Sequence, residues 1–175
     1  NTVTIIINSL LALPPVVVGL LIYILLSRSG YFGEYNLLYT ITAMIMAQIV
    51  LLAPILISLT KETIDDYYKK YKEYLISIHS SKLQQISTVL WESKINLFIH
   101  ILVGFGRALS EVGAILIVGG NIESLTMTMT TGIVLETSKG ELSIALSLGI
   151  TLLLISLIIN ILLYMIKKRI LIKYI

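Results

Sequence analysis

The chain contains no cysteine, one tryptophan and three prolines, and only 13% of its 175 residues are charged. Without cysteine there is no disulfide framework, no thiolate metal site and no cysteine nucleophile. Soluble domains are about 25% charged and about 45–50% apolar, whereas 57% of this chain is hydrophobic. The scarce charge is absent over whole blocks, from Asn1 to Ser27, from Tyr35 to Thr60 and from Leu142 to Ile166. A fourth block, Ile95 to Ile122, contains only Arg107 and Glu111. A spanning helix needs about 20 mostly apolar residues, and each block is long enough. The pattern predicts an all-α, polytopic membrane protein.

Other absences narrow the function. There is no Gly-x-x-x-x-Gly-Lys-Ser/Thr phosphate loop, no His-Glu-x-x-His and no Gly-x-Ser-x-Gly, and the two histidines lie on different segments. The net charge of +3 comes from lysines beside apolar spans, which fits lipid headgroups and membrane topology better than nucleic acid. The chain starts at Asn1 and enters an apolar segment without the basic start or cleavage site of a signal peptide. We read it as a piece of a longer chain that lacks an earlier helix.

Four spans are expected, over 3–26, 37–59, 95–120 and 142–166. In the first, Leu13-Pro14-Pro15 either kinks a helix or starts one. Gln48 in the second is expected to form an interhelical hydrogen bond. Residues 61–94 are the one long polar region. Their apolar residues (Leu75, Ile76, Ile78, Leu83, Ile86, Val89, Leu90) recur at roughly helical spacing, predicting a cytoplasmic loop with short amphipathic helices. Asp65 and Asp66 have no histidine or third carboxylate at ligand spacing, and read as solvated loop residues rather than a metal site. The threonine-rich stretch from Asn121 to Glu141 either dips partway into the membrane or lies on its surface. Lysine and arginine number six in 61–94 and four after Ile166, but one each in the Ser27–Asn36 and Asn121–Glu141 segments. The excess places 61–94 and the C-terminus in the cytoplasm.

The third span draws most attention. An ionisable group near a bilayer centre costs about 2.5–3.5 kcal/mol and usually faces a bundle interior or a polar path. Arg107 and Glu111 are such groups, and Gly104, Gly106, Gly113, Gly119 and Gly120 let backbones approach closely around them. Charge and glycine together predict a transport pathway.

The run GFGRALSEVGAILIVGGNI (Gly104 to Ile122), with MTTGIVLETSKGEL (Met129 to Leu142) and LALPPVVVGLLIYILLSRSG (Leu11 to Gly30), resembles the membrane permease of tungstate ABC importers. Molybdate and sulfate permeases share the plan, with similar positions at Glu111 to Ala114 and Gly120-Asn121. The resemblance covers nearly the whole chain, as a single permease domain over 1–175. It implies a homodimer in the plasma or inner membrane, an ABC ATPase dimer below and an extracytoplasmic tungstate-binding protein above. ATP and Mg2+ then belong to the partner ATPase, this chain binds no cofactor and is not itself an enzyme.

The family's cytoplasmic loop carries Glu-Ala-Ala followed by a glycine, and docks into the ATPase. It falls on Glu73, Tyr74, Leu75, Ile76, Ser77, Ile78, His79 and Ser80. Glu73 matches, both alanines are replaced, and His79 stands at the glycine position. The pathway is expected along Arg107, Ser110, Glu111, Gly113, Gly119, Gly120, Asn121, Thr130 and Thr131. Because tungstate is a dianion, Arg107 and Glu111 at i,i+4 are expected to form a buried, mutually neutralising pair; the rival is an Arg107 that faces the anion. Gly119, Gly120, Asn121, Thr130 and Thr131 either offer uncharged donors near the outer mouth or serve as helix caps and loop hydroxyls. The alternatives are a molybdate or sulfate permease, or a secondary transporter or channel using Arg107 and Glu111 as a relay.

Overall fold

The computed structural model describes residues 11–172, with side chains as far as Ile166. The expected start of the first span and the charged side chains of the tail lie outside the described residues. Among the described residues there is no strand, and the elements are helices α1 (Pro15–Leu26), α2 (Ile41–Ser77), α3 (Lys82–Ser110), α4 (Gly113–Gly119), α5 (Met129–Lys139) and α6 (Leu142–Ile172), with a 3-10 turn at Gly33–Tyr35.

Helix α1 begins where its prolines dictate. Pro14 is the extended N-cap and Pro15 occupies the first helical position, where a missing N–H costs nothing and the fixed φ suits the helix. The Leu13-Pro14-Pro15 motif therefore starts a helix, which covers Pro15–Leu26 within the first expected span.

The polar region 61–94 is not a loop. Helix α2 runs for 37 residues through Pro54, and α3 for 29. From Ile55 to Val103 there is no glycine or proline, so nothing in the backbone interrupts either helix except a turn at Ile78–Ser81. At about 1.5 Å per residue α2 is about 55 Å long, well beyond the roughly 30 Å hydrocarbon core. The two helices pack as an antiparallel hairpin whose lower half is polar, tied by Tyr71 Oη donating to Glu92 Oε2 at 3.1 Å. That bond holds the Tyr71 phenol above the usual tyrosine range, with burial and the Glu92 charge acting in the same direction.

The third expected span is also revised. It breaks after Ser110, and Glu111 takes an extended conformation (φ −75°, ψ 128°) before the seven-residue α4 begins. Among the described residues, three helices are long and apolar enough to cross a membrane: Ile41–Ser77, Lys82–Ser110 and Leu142–Ile166. A buried apolar cluster joins α1, α2 and α4 through Val18, Ile22, Ala43, Met44, Ala114 and Val118. The helices α1 and α4 approach closely at Gly19, where an added Cβ would lie 2.7 Å from Ala114 Cα. Helices α5 and α6 form a second hairpin, which meets the rest mainly through α3.

Candidate functional site

The helix break at Glu111 is the point on which side chains from α2, α3 and α5 converge. Gln48 on α2 donates through Nε2 to the Ala108 carbonyl at 3.2 Å, satisfying one of the carbonyls a helix end leaves open. Ser110 Oγ donates to the Arg107 carbonyl at 3.0 Å. Glu111 itself is 8% exposed, and its Oε1 accepts the Ala114 N–H at 3.3 Å at the start of α4. Thr130, from α5, reaches the Glu111 carbonyl at 3.4 Å.

That last contact shows how the threonine-rich segment folds back. Thr126 Oγ1 donates to the Gly119 carbonyl at 2.5 Å and accepts the Ile122 N–H at 2.9 Å, which pins the loop beside the C-terminal end of α4. Four residues later, Thr130 lies beside the residue that precedes α4. The chain therefore doubles back along α4, and α5 then packs beside α6, with Gly132 facing Leu148. The start of α5 is capped by a box in which Thr128 and Thr131 exchange hydrogen bonds, so its first backbone N–H groups are satisfied within the chain.

The expected ion pair does not form. No salt bridge joins Arg107 to Glu111 among the described residues. The i,i+4 argument assumes one continuous helix, whereas Glu111 lies past the end of α3 and its carboxylate faces the first turn of α4. Arg107 and Ser110 are exposed on the last turn of α3, while Glu111 is buried. The structure thus separates the two side chains, with Glu111 buried at the start of α4 and Arg107 exposed.

The expected donors are also largely occupied. The Gly120 N–H bonds to the Leu116 carbonyl at 3.0 Å, and Gly120 (φ 68°) closes α4 as its left-handed C-cap. Gly119 is buried against Met44, and the Tyr39 ring lies where a Gly120 side chain would be. Gly113 fits against Val16, whose Cγ2 would be 2.8 Å from an added Cβ. Thr131 is fully buried and, with Thr130, is engaged with Thr128. Asn121, also left-handed at φ 50°, is different: its Oδ1 is buried with no hydrogen-bond partner among the described residues. Thr126 and Tyr39 were not singled out as site residues by sequence reasoning. The threonine count was visible, but which hydroxyl closes the loop depends on the reversal.

At the other end of the α2–α3 hairpin, the turn is made by two matched signals. The His79 N–H bonds to the Ile76 carbonyl and the Ser80 N–H to the Leu75 carbonyl, at 3.0 and 3.1 Å, the paired bonds of a Schellman stop. His79 is left-handed at φ 52°, a conformation that favours glycine. Ser81 then starts α3 through a capping box with Gln84. Leu75 is packed inside the hairpin, which removes it from the expected docking edge, whereas Tyr74, Ile76 and Ile78 are exposed. Glu73, Ser77 and His79 are exposed beside them and Ser80 is half-buried. His100, on α3, shares a 3.3 Å hydrogen bond with Thr63 of α2. No group of three or more metal-binding side chains occurs among the described residues.

Residues 1–172 match the family described as binding-protein-dependent transport system inner membrane component. The tungstate uptake system permease protein TupB of Campylobacter jejuni is 38% identical over 95% of this chain and 70% of its own length. TupB of Peptoclostridium acidaminophilum is 41% identical over 92% of this chain and 71% of its own. A probable anion ABC transporter permease protein of Haloferax volcanii is 35% identical over 91% and 71%. The helical architecture, the apolar spans and this match across nearly the whole chain agree, and the chain belongs to the family of inner membrane components of binding-protein-dependent transport systems.

Proposed function

We propose that this chain is the permease subunit of an ATP-driven tungstate importer. The observation that carries the reading is the identity of 38% and 41% to two tungstate uptake permeases over more than nine-tenths of the chain. The geometry around the break supports it. Glu111 is withdrawn from the surface by the Ala114 N–H, while Arg107 stays exposed on a membrane-embedded helix. An arginine facing lipid at that depth is costly, so Arg107 faces a protein-lined path. Two copies arranged around that path form a homodimer with paired cations and no exposed carboxylate beside them, which suits a dianion.

The exposed Tyr74, Ile76 and Ile78 at the hairpin tip dock into an ABC ATPase, which binds ATP and Mg2+ and moves the α2–α3 lever. The extracytoplasmic tungstate-binding protein delivers to the opposite face. The lysine-rich hairpin and the C-terminus lie in the cytoplasm.

Cells supplied with the full-length permease, its ATPase and its binding protein test the reading. Tungstate accumulation is expected, and Ile78→Glu should reach the membrane yet lose both accumulation and the co-purifying ATPase. Accumulation that persists when the ATPase is deleted contradicts it.

A further inference from the structure

The segment from Ser27 to Tyr39 joins α1 to α2 at the end of the molecule opposite the Ile78–Ser81 turn. It encloses a cavity of 520 Å³ whose lining includes Tyr23, Arg28, Gly33, Asn36 and Tyr39. Small-molecule sites occupy about 300–1,000 Å³, so the space suits a ligand rather than a single water.

The walls are fixed by backbone hydrogen bonds. The Phe32 N–H bonds to the Leu25 carbonyl at 2.9 Å, the Gly30 N–H to Ser27 at 2.7 Å and the Tyr39 N–H to Val118 at 2.9 Å. Gly33 cannot carry a side chain, because a Cβ would collide with the Ser27 and Arg28 carbonyls. Two lining residues, Asn36 (φ 49°) and Tyr39 (φ 63°), are held in the left-handed region. Non-glycine residues persist there only when their surroundings impose it, and they cluster at functional sites. The loop is rigid and strained where it faces the cavity.

The lining chemistry has one sign. Arg28 supplies a permanent cation, Tyr23 and Tyr39 share a hydrogen bond between their phenols that leaves one hydroxyl hydrogen for a ligand, and Asn36 supplies an amide, one hydrogen of which reaches the Glu34 carbonyl at 3.3 Å. No carboxylate lines the space. A guanidinium with hydroxyl and amide donors around it matches a tetrahedral oxyanion, whose oxygens accept several hydrogen bonds at once. Tyr31 and Tyr35, 92% and 69% exposed, flank the loop as aromatic residues do at the headgroup level of a bilayer.

We propose that this cavity is a second binding site, specific for a tetrahedral oxyanion group, with Arg28 as its charge. The group is either the phosphate of a phospholipid headgroup or a free oxyanion in solution. The site is separate from Arg107 and does not depend on which ion the pathway carries.

Two assays on the full-length permease distinguish the sources. Native mass spectrometry of protein purified from membranes reads retained phospholipid. Equilibrium dialysis with sodium tungstate or sodium sulfate, in phospholipid-free detergent, reads the free ion. The expected result is one oxyanion group per chain in one assay or the other, weakened at least about tenfold by Arg28→Gln and restored in part by Arg28→Lys. Arg107→Gln should leave it unchanged. Arg28 is exposed, so its replacement should not shift the melting temperature. Absence of both ligands, or equal binding by Arg28→Gln, overturns the proposal. So does loss that follows Arg107→Gln instead, since the ion would then belong to the pathway.

Discussion

Glu111 and Arg107 are four residues apart, yet only the glutamate is buried, because α3 ends at Ser110. The carboxylate acts as an acceptor for the Ala114 N–H, a role that an uncharged amide oxygen also fills. Glu111→Gln should therefore keep stability and uptake close to wild type, whereas Glu111→Leu leaves a buried donor unpaired and should cost about 1–3 kcal/mol. Thermal unfolding in detergent checks both. Arg107→Lys keeps the charge but loses the planar fork that binds oxyanions, and uptake should fall by at least about tenfold. Equal sensitivity of Arg107→Lys and Glu111→Gln would mean that the two act as a pair after all. His79 gives a prediction of the opposite sign. Its left-handed backbone carries a steric penalty of about 1–2 kcal/mol that glycine avoids, partly offset by glycine's entropy of about 0.5–1 kcal/mol. His79→Gly should stabilise the hairpin by up to about 1 kcal/mol, and a loss of stability would show that the imidazole makes a contact of its own. The family motif made the glycine position legible in advance. The fate of Glu111 was hidden, because an i,i+4 spacing in the sequence does not reveal that the helix stops between the two residues.

The elements show where polarity misleads. Residues 61–94 read as a loop because they carry nearly half of the charged residues, but charge reports contact with water and says little about the backbone. The absence of glycine and proline from Ile55 to Val103 was the stronger sign, and it gives two long helices. Their junction rests on a capping box at Ser81. Ser81→Ala should destabilise the hairpin by about 1 kcal/mol, seen as a lower melting temperature; no change would mean that the Schellman stop alone holds the turn. The bond from Tyr71 to Glu92 favours the protonated phenol. Its contribution is complete below the unfolded tyrosine pKa and lost as pH rises through the raised folded value, so alkaline sensitivity should lessen in Tyr71→Phe. The approach of α1 to α4 depends on Gly19. Gly19→Leu forces backbones apart and should cost about 1–3 kcal/mol, while α5, which packs mainly on α6, keeps its hydrogen exchange protection.

Across the whole molecule, the uninterrupted apolar blocks announced the membrane and the resemblance of the Gly104–Ile122 run announced the family. Long-range contacts were beyond that reading. The reversal that brings Thr130 to Glu111 spans nineteen residues, and no local pattern encodes it. What emerges is a lever and a path. The α2–α3 hairpin carries an exposed apolar tip at one end and, about 55 Å away by helix rise, the loop over the Arg28 cavity at the other. Between them, Gln48 ties α2 to the break in the third span, and under the proposed function this bond carries movement of the tip to that break. Gln48→Leu should leave the fold intact and reduce the coupling of ATP hydrolysis to uptake, read as more ATP consumed per ion carried.

The central claim is that this permease moves tungstate at the expense of ATP. The most direct measurement is uptake into proteoliposomes holding the full-length permease and its ATPase, with the binding protein outside and ATP inside. Tungstate, molybdate and sulfate are offered together. The account predicts uptake that requires ATP, is led by tungstate and is abolished by Arg107→Gln; uptake that proceeds equally without ATP contradicts it.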